Sequence, residues 1–343
     1  MTKIVNIKCT KYYGDIEKPY IRRPVAVLGV FILANFLLGS FFIWVPLCLL
    51  LDLVRRKWRF PIVRLIAFLL CWAWLETAGV VASIAFWAAG QKRNVLLHYS
   101  LQRWWAGGLI LALRGTVGLR IEVKNPEVLV PGPLVVLSRH ASLADSLVSA
   151  WAMGNIAGLH PRYVLKRELM LDPCLDIVGH RLPNYFLNRS SDNVQEELDG
   201  VAALSKDLGH SDVSVIFPEG TRANAAKRQR LLEKLKERSP ERAQLLAPLA
   251  MLLPPKPAGA IALMQGAPQC DVVIAGHVGF DGLDTFGGML RHLEQGNVRC
   301  VMWFRRIARA EIPTDQLAAW LDQQWLMLDN EVQTQNGILK GQK

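Results

Sequence analysis

The sequence predicts an α/β protein: a mixed, mostly parallel sheet flanked by helices, behind an N-terminal two-helix membrane module. Three observations carry this expectation. Two long apolar runs, residues 24–51 and 65–90, stand ahead of everything else. From residue 118 onward, short β-rich runs alternate with helical patterns, the rhythm of a sheet layered with helices. Two of those β-rich runs, 134–138 and 213–217, lead straight into turns rich in ionisable residues. Residues 1–100 are therefore assigned to a membrane-associated helical pair and residues 101–343 to an α/β domain.

The apolar runs come first in the chain. A spanning helix needs ~20 apolar residues, and residues 24–51 carry no charge at all. Pro46 is expected to kink the end of that helix. Residues 65–90 are also long enough, but Glu76 sits near the middle. An ionisable residue there either faces a partner or water inside the membrane, or belongs to a helix lying near the interface. Basic residues flank both ends of both runs. Lys3, Lys8, Lys11, Lys18, Arg22 and Arg23 precede the first; Arg55, Arg56, Lys57, Arg59 and Arg64 separate the two; Lys92, Arg93 and Arg103 follow. A clean two-pass topology would place basic residues mainly on the cytoplasmic side. This distribution fits a pair that dips into one leaflet with its basic ends on anionic headgroups. Membrane lipids are thus the expected partners of residues 24–90. The first 23 residues have no apolar core, so no cleavable signal peptide is expected.

Composition narrows the ligand classes. Forty Lys and Arg against 29 Asp and Glu give a formal charge of +11. That balance suits nucleic acid, anionic lipid or phosphorylated substrates. The apolar runs favour lipid, and no nucleic-acid motif is present, so no nucleic-acid partner is expected. Trp44, Trp58, Trp72, Trp74, Trp87, Trp104 and Trp105 cluster around the apolar runs, as interfacial Trp does. Six Cys, at 9, 48, 71, 174, 270 and 300, lack zinc or redox spacing. Free thiols and a domain facing a reducing cytoplasm are expected. Nothing in the sequence sets an oligomeric state.

In the α/β domain the expected strands are 118–123, 134–138, 162–165, 185–187, 213–217, 271–275 and 299–305. The expected helices are 142–153, 192–208, 225–238, 259–264 and 314–329. Residues 227–242 are dense in Lys, Arg and Glu and read as a solvated helix.

Two turns carry chemistry. The strand 134–138 ends in Arg139-His140-Ala141-Ser142-Leu143-Ala144-Asp145. With Ser142 as an N-cap, His140 lies just outside the helix and can fold back to meet Asp145. A carboxylate on one imidazole nitrogen fixes the tautomer and leaves the other as a base. A buried structural pair would show the same spacing. The strand 213–217 runs into Phe217-Pro218-Glu219-Gly220-Thr221-Arg222. This puts an acid, a flexible Gly and an Arg at the carboxyl edge of a sheet, where α/β folds bind ligands. Arg can grip phosphate with two donors.

These residues resemble the glycerolipid acyltransferase family, in particular the 1-acylglycerol-3-phosphate acyltransferases. That family has four blocks in fixed order. His140 and Asp145 match its His-x-x-x-x-Asp. Phe186-Leu187-Asn188-Arg189 approximates its Phe-Ile-x-Arg. Residues 217–222 match its Phe-Pro-Glu-Gly-Thr-Arg without change, and Pro254 or Pro255 matches its last Pro. The resemblance covers residues 95–325. It implies transfer of a fatty acyl group from acyl-CoA, as co-substrate and without a cofactor or metal, to a lysophospholipid hydroxyl. It implies His140 and Asp145 as the catalytic pair, in a membrane protein whose active site faces the cytoplasm. It also implies that Arg222 and Arg189 bind the glycerol phosphate, with Glu219, Gly220, Thr221 and Pro254 around it. Lys166 resembles a further phosphate-binding Lys, and a surface Lys at a strand end would look the same. Three positions depart from the family: Arg139, often Asn; Ala141, often Gln or Asn; and Pro183, usually Gly. They leave the acceptor open among 1-acylglycerol 3-phosphate, lysocardiolipin, lysophosphatidylglycerol and glycerol 3-phosphate. A non-catalytic lipid-binding protein on the same fold, and a metal hydrolase, are the competing readings.

Overall fold

The computed structural model describes residues 18–341 except Asp284. Lys3, Lys8, Lys11 and Cys9 lie outside the described residues.

Four helices come first: α1 (Pro19–Gly39), α2 (Phe41–Val54), α3 (Pro61–Ala88) and α4 (Val95–Val117). Among the described residues, only α1 and α3 are long and apolar enough to cross a membrane. The first apolar run is therefore two helices, where the sequence suggested one. The break falls at Gly39-Ser40, since Gly is about 1 kcal/mol less favourable than Ala in a helix. The Trp44 indole donates to the Leu37 carbonyl at 2.7 Å, one of those freed at the break. Pro46 sits inside α2 and does not end it. Asn94 caps α4, accepting the Leu97 N–H, and Gly118 ends it in the left-handed region at φ 67°. Residue 100 falls within α4.

The remaining elements alternate: β1 (Arg120–Lys124), β2 (Leu134–Ser138), α5 (Asp145–Trp151), β3 (His160–Lys166), α6 (Pro173–Ile177), β4 (Tyr185–Leu187), α7 (Val194–Leu204), β5 (Asp212–Ile216), α8 (Ala225–Arg238), α9 (Pro240–Leu246), α10 (Pro257–Gly266), β6 (Asp271–Val278), α11 (Phe286–Gln295), β7 (Arg299–Ile307) and α12 (Leu317–Gly341). One sheet runs β1-β7-β6-β2-β5-β3-β4. Every pairing is parallel except β6 with β7. β2 is buried on both faces, which is why it reads as an unbroken apolar run. Leu134 and Val136 face one core with α4 and α5. Val135 and Leu137 face the other, with α7, α10 and α12. α8 has no buried residue, as expected of a solvated helix.

Charged residues dock the N-terminal helices on this domain. Arg22 and Arg23 at the start of α1 hold Asp176 of α6 at 2.8 and 3.0 Å. At the α2–α3 corner, Arg55 and Lys57 reach Glu294 of α11 at 3.4 and 2.8 Å. Glu76 is fully buried between α3, α4 and α6. It accepts the Trp105 indole N–H at 2.8 Å and the Cys174 backbone N–H at 3.0 Å.

Candidate active site

β2, β5, β3 and β4 are parallel neighbours, so their carboxyl ends open on one edge. That edge collects the motif residues. His140 follows β2, residues 217–222 follow β5, Lys166 closes β3 and Arg189 follows β4.

His140 Nδ1 lies 3.0 Å from Asp145 Oδ2. The contact forms as the spacing suggested, but through a different local structure. The helix starts at Asp145 rather than at Ser142. Residues 140–144 form a tight turn around the carboxylate. Oδ2 also accepts the N–H groups of Ala141 at 2.5 Å and Ser142 at 2.7 Å, and Oδ1 accepts the Ser142 hydroxyl at 2.5 Å. Burial alone would raise the Asp145 pKa. The electrostatic pull of the His277 ring, the bond from His140 and the Ser142 hydroxyl outweigh it and hold it at about 2. Asp145 is thus an anion that fixes the His140 tautomer. The His140 ring lies tilted on Phe217 at 5.0 Å between centroids.

Glu219 is buried below this turn. Its Oε1 accepts the His140 backbone N–H at 2.7 Å and its Oε2 the Leu253 N–H at 2.9 Å. The Ala223 N–H returns to the His140 carbonyl at 2.8 Å. Glu219 therefore ties three motif blocks together. Burial pushes its pKa up to about 8, against the pull of those two N–H groups. Gly220 turns the chain at φ 69°. A side chain there would meet the Lys256 Nζ at 3.5 Å. Thr221 is half-buried beside it, and Pro254 is buried next to Leu253. Asp329 of α12 holds this last block by accepting the N–H groups of Ala250, Met251 and Leu252 at 2.9, 2.8 and 2.7 Å.

Cations gather on the same edge. The Lys166 pKa is pulled down by burial and then by Arg189, Arg222 and Lys227. That of Lys256 is pulled down by burial and by Arg189. Lys227 Nζ donates to the Arg222 carbonyl at 3.1 Å. The sequence brought Lys166, Arg189 and Arg222 forward but missed Lys227 and Lys256. Lys256 follows the Pro254-Pro255 block directly, and that adjacency was the signal available. Arg189 acts on both Lys side chains, so the cations crowd one another on this edge.

A cavity of about 660 Å³ opens next to the catalytic turn. Leu143, Ala144 and Ser146, around Asp145, belong to its wall. Leu65 and Phe68 of α3 and Leu109 of α4 form another side. The lining is overwhelmingly apolar and the size fits a lipid-like ligand.

The arrangement is an imidazole held by an anion, a cationic edge and an apolar cavity. Residues 120–278 match the Acyltransferase family model. The chain is similar in shape to the crystal structure of the 1-acyl-sn-glycerophosphate (LPA) acyltransferase PlsC from Thermotoga maritima. That likeness has a TM-score of 0.43 and 13% identity, over 92% of this chain and 97% of that one. No curated protein matches the chain in sequence. The matched residues 120–278 hold β1 to β6 and the motif residues from His140 to Lys256.

Proposed function

We propose that this chain is an acyltransferase that moves a fatty acyl group from acyl-CoA to the free hydroxyl of 1-acylglycerol 3-phosphate, forming phosphatidic acid. The observation that carries the reading is the His140–Asp145 contact at 3.0 Å beside the cationic edge. A thioester is already activated, so the enzyme needs no nucleophile of its own. The acceptor hydroxyl attacks the thioester carbonyl carbon while His140 Nε2 takes its proton. The tetrahedral intermediate expels the CoA thiolate, which takes that proton back. Asp145 stabilises the transient imidazolium, as the carboxylate does in a serine-protease triad. Lys166, Arg189 and Arg222 are suited to the acceptor phosphate, and the apolar cavity to the acyl chain. Lys227 and Lys256 add charge beyond what one phosphate group requires. They favour, as a second reading, an acceptor with further phosphate such as lysocardiolipin.

Membrane association supplies the setting. Phe36, Phe42, Ile43, Leu47, Trp58 and Trp87 expose large apolar surfaces on α1 to α3. Ion pairs tether both the start of α1 and the end of α2 to the same domain. A one-leaflet arrangement at the cytoplasmic surface accommodates both tethers. The deciding experiment is an acceptor panel with one acyl-CoA and purified protein. Phosphatidic acid formed fastest from 1-acylglycerol 3-phosphate is the expected result. Faster transfer to lysocardiolipin, lysophosphatidylglycerol or glycerol 3-phosphate reassigns the acceptor, and no transfer to any of them ends the reading.

A further inference from the structure

Arg139 departs from the resembling family and has no part in the chemistry above. It is fully buried. Its guanidinium donates to the His277 carbonyl and to the Asp281 carboxylate. Its backbone N–H donates to the Ala275 carbonyl at 3.0 Å. A buried Arg needs such partners. Here they clamp the end of β6 against the turn that carries His140.

His277 comes with that clamp. Val273 and Ala275 of β6 point into the core beneath α5. His277, two residues on, points the same way. Its Nε2 lies 3.5 Å from Asp145 Oδ1, the oxygen that His140 does not use. The ring is buried, and neither of its nitrogens has a hydrogen-bond partner among the described residues. The charged groups acting on it are Asp145 from α5, Arg139 after β2 and Asp281 after β6. The Phe280 ring is 5.7 Å away. Burial, with help from Arg139, lowers its pKa despite Asp145 and Asp281. A neutral imidazole keeps one N–H; Asp145 Oδ1 stands 3.5 Å from Nε2, and the Arg139 backbone is the other acceptor beside the ring.

We infer that His277 is a positioning residue, which holds Asp145 from the side opposite His140 by presenting its Nε2–H to Oδ1. Catalytic hydrogen bonds in ligand-free structures are often long and tighten in the complex. With Oδ1 engaged, Oδ2 stays turned to the His140 ring. A carboxylate that shares its charge among more donors is also a weaker base. Losing the His277 donor therefore makes the His140–Asp145 pair hold its proton more tightly.

The inference rests on His140 acting as base. Its test compares His277→Gln with His277→Asn by kcat, KM and the pH profile of kcat/KM. The Gln amide reaches the Nε2 position, whereas the Asn amide stops at Nδ1, away from Asp145. His277→Asn should lower kcat about tenfold, the worth of one hydrogen bond to a charged group. It should move the acid limb to higher pH by about half a unit, with little change in KM. His277→Gln should stay near wild type in both. Two variants with the wild-type limb, or equal losses with no shift of the limb, overturn the inference. His140→Ala serves as reference. If it keeps full turnover, the general-base reading itself fails; if it is inactive while His277→Asn matches wild type, only the His277 role fails.

Discussion

Glu219 accepts the backbone N–H of His140 at 2.7 Å across 79 residues of sequence. Its other oxygen takes the Leu253 N–H, so one buried carboxylate sets the height of the catalytic turn against two other motif blocks. Both oxygens must accept. In Glu219→Gln the amide NH2 would face a backbone N–H. That leaves a buried donor unsatisfied, at about 1–3 kcal/mol. A lower melting temperature in detergent and reduced turnover are expected together; a variant as stable and active as wild type would refute the tie.

The same residue sets a pH trend. The Glu219 pKa is raised to about 8, so the folded protein holds this proton more tightly than the unfolded chain does. Its contribution to stability is therefore complete at low pH and is lost as pH rises through about 8. The wild-type melting temperature should fall more steeply than that of Glu219→Gln between about pH 5 and pH 8. Parallel melting curves across that range would show that Glu219 is not the source.

The catalytic pair separates by its bonding. His140→Ala removes only a ring and should cost ~10²–10⁴ in turnover with the fold intact. Asp145→Asn should cost activity and stability together. Its carboxylate also accepts two backbone N–H groups and the Ser142 hydroxyl. Circular dichroism and thermal melts beside turnover distinguish the two patterns. Equal stability of both variants would contradict the turn geometry.

The cationic edge should govern acceptor binding. Arg222→Ala is expected to raise KM for the lysolipid about tenfold or more, with a smaller change for acyl-CoA, since bonds to charged groups are the strong ones. Lys256→Met should act in the same direction more weakly, because it is exposed. The reverse order of the two KM effects would move Arg222 to the donor side.

The cavity should set chain length. Leu147 lines it two residues past Asp145. Leu147→Trp should discriminate against long acyl groups while sparing short ones in an acyl-CoA series. An unchanged chain-length profile would place the chain elsewhere.

Much of this was legible in sequence. The strands 134–138 and 185–187 appear with the bounds their apolar runs suggested; the first is buried along its whole length, the second is an edge strand with Phe186 buried. Expected helices were less well bounded. Residues 314–329 became Leu317–Gly341, whose last turns pack Val332 and Leu339 on the core. The partners of Glu219 and Asp329 were invisible for a simple reason. They are backbone N–H groups, which every residue except Pro carries. His277 was missed because a lone His in an apolar strand has no local signature. Only the β2–β6 pairing brings it to Asp145.

Helix α3 is apolar on all sides, and its two faces meet different surroundings. Leu65, Phe68 and Trp72 turn inward to the cavity. Trp74, Val81, Ile84 and Trp87 turn outward. The partition between the outside and the chamber is thus one helix thick, about 10 Å across. If a hydrocarbon tail rests on the outer face, that one helix is what separates it from the chamber, and its way in would be a sideways step around α3.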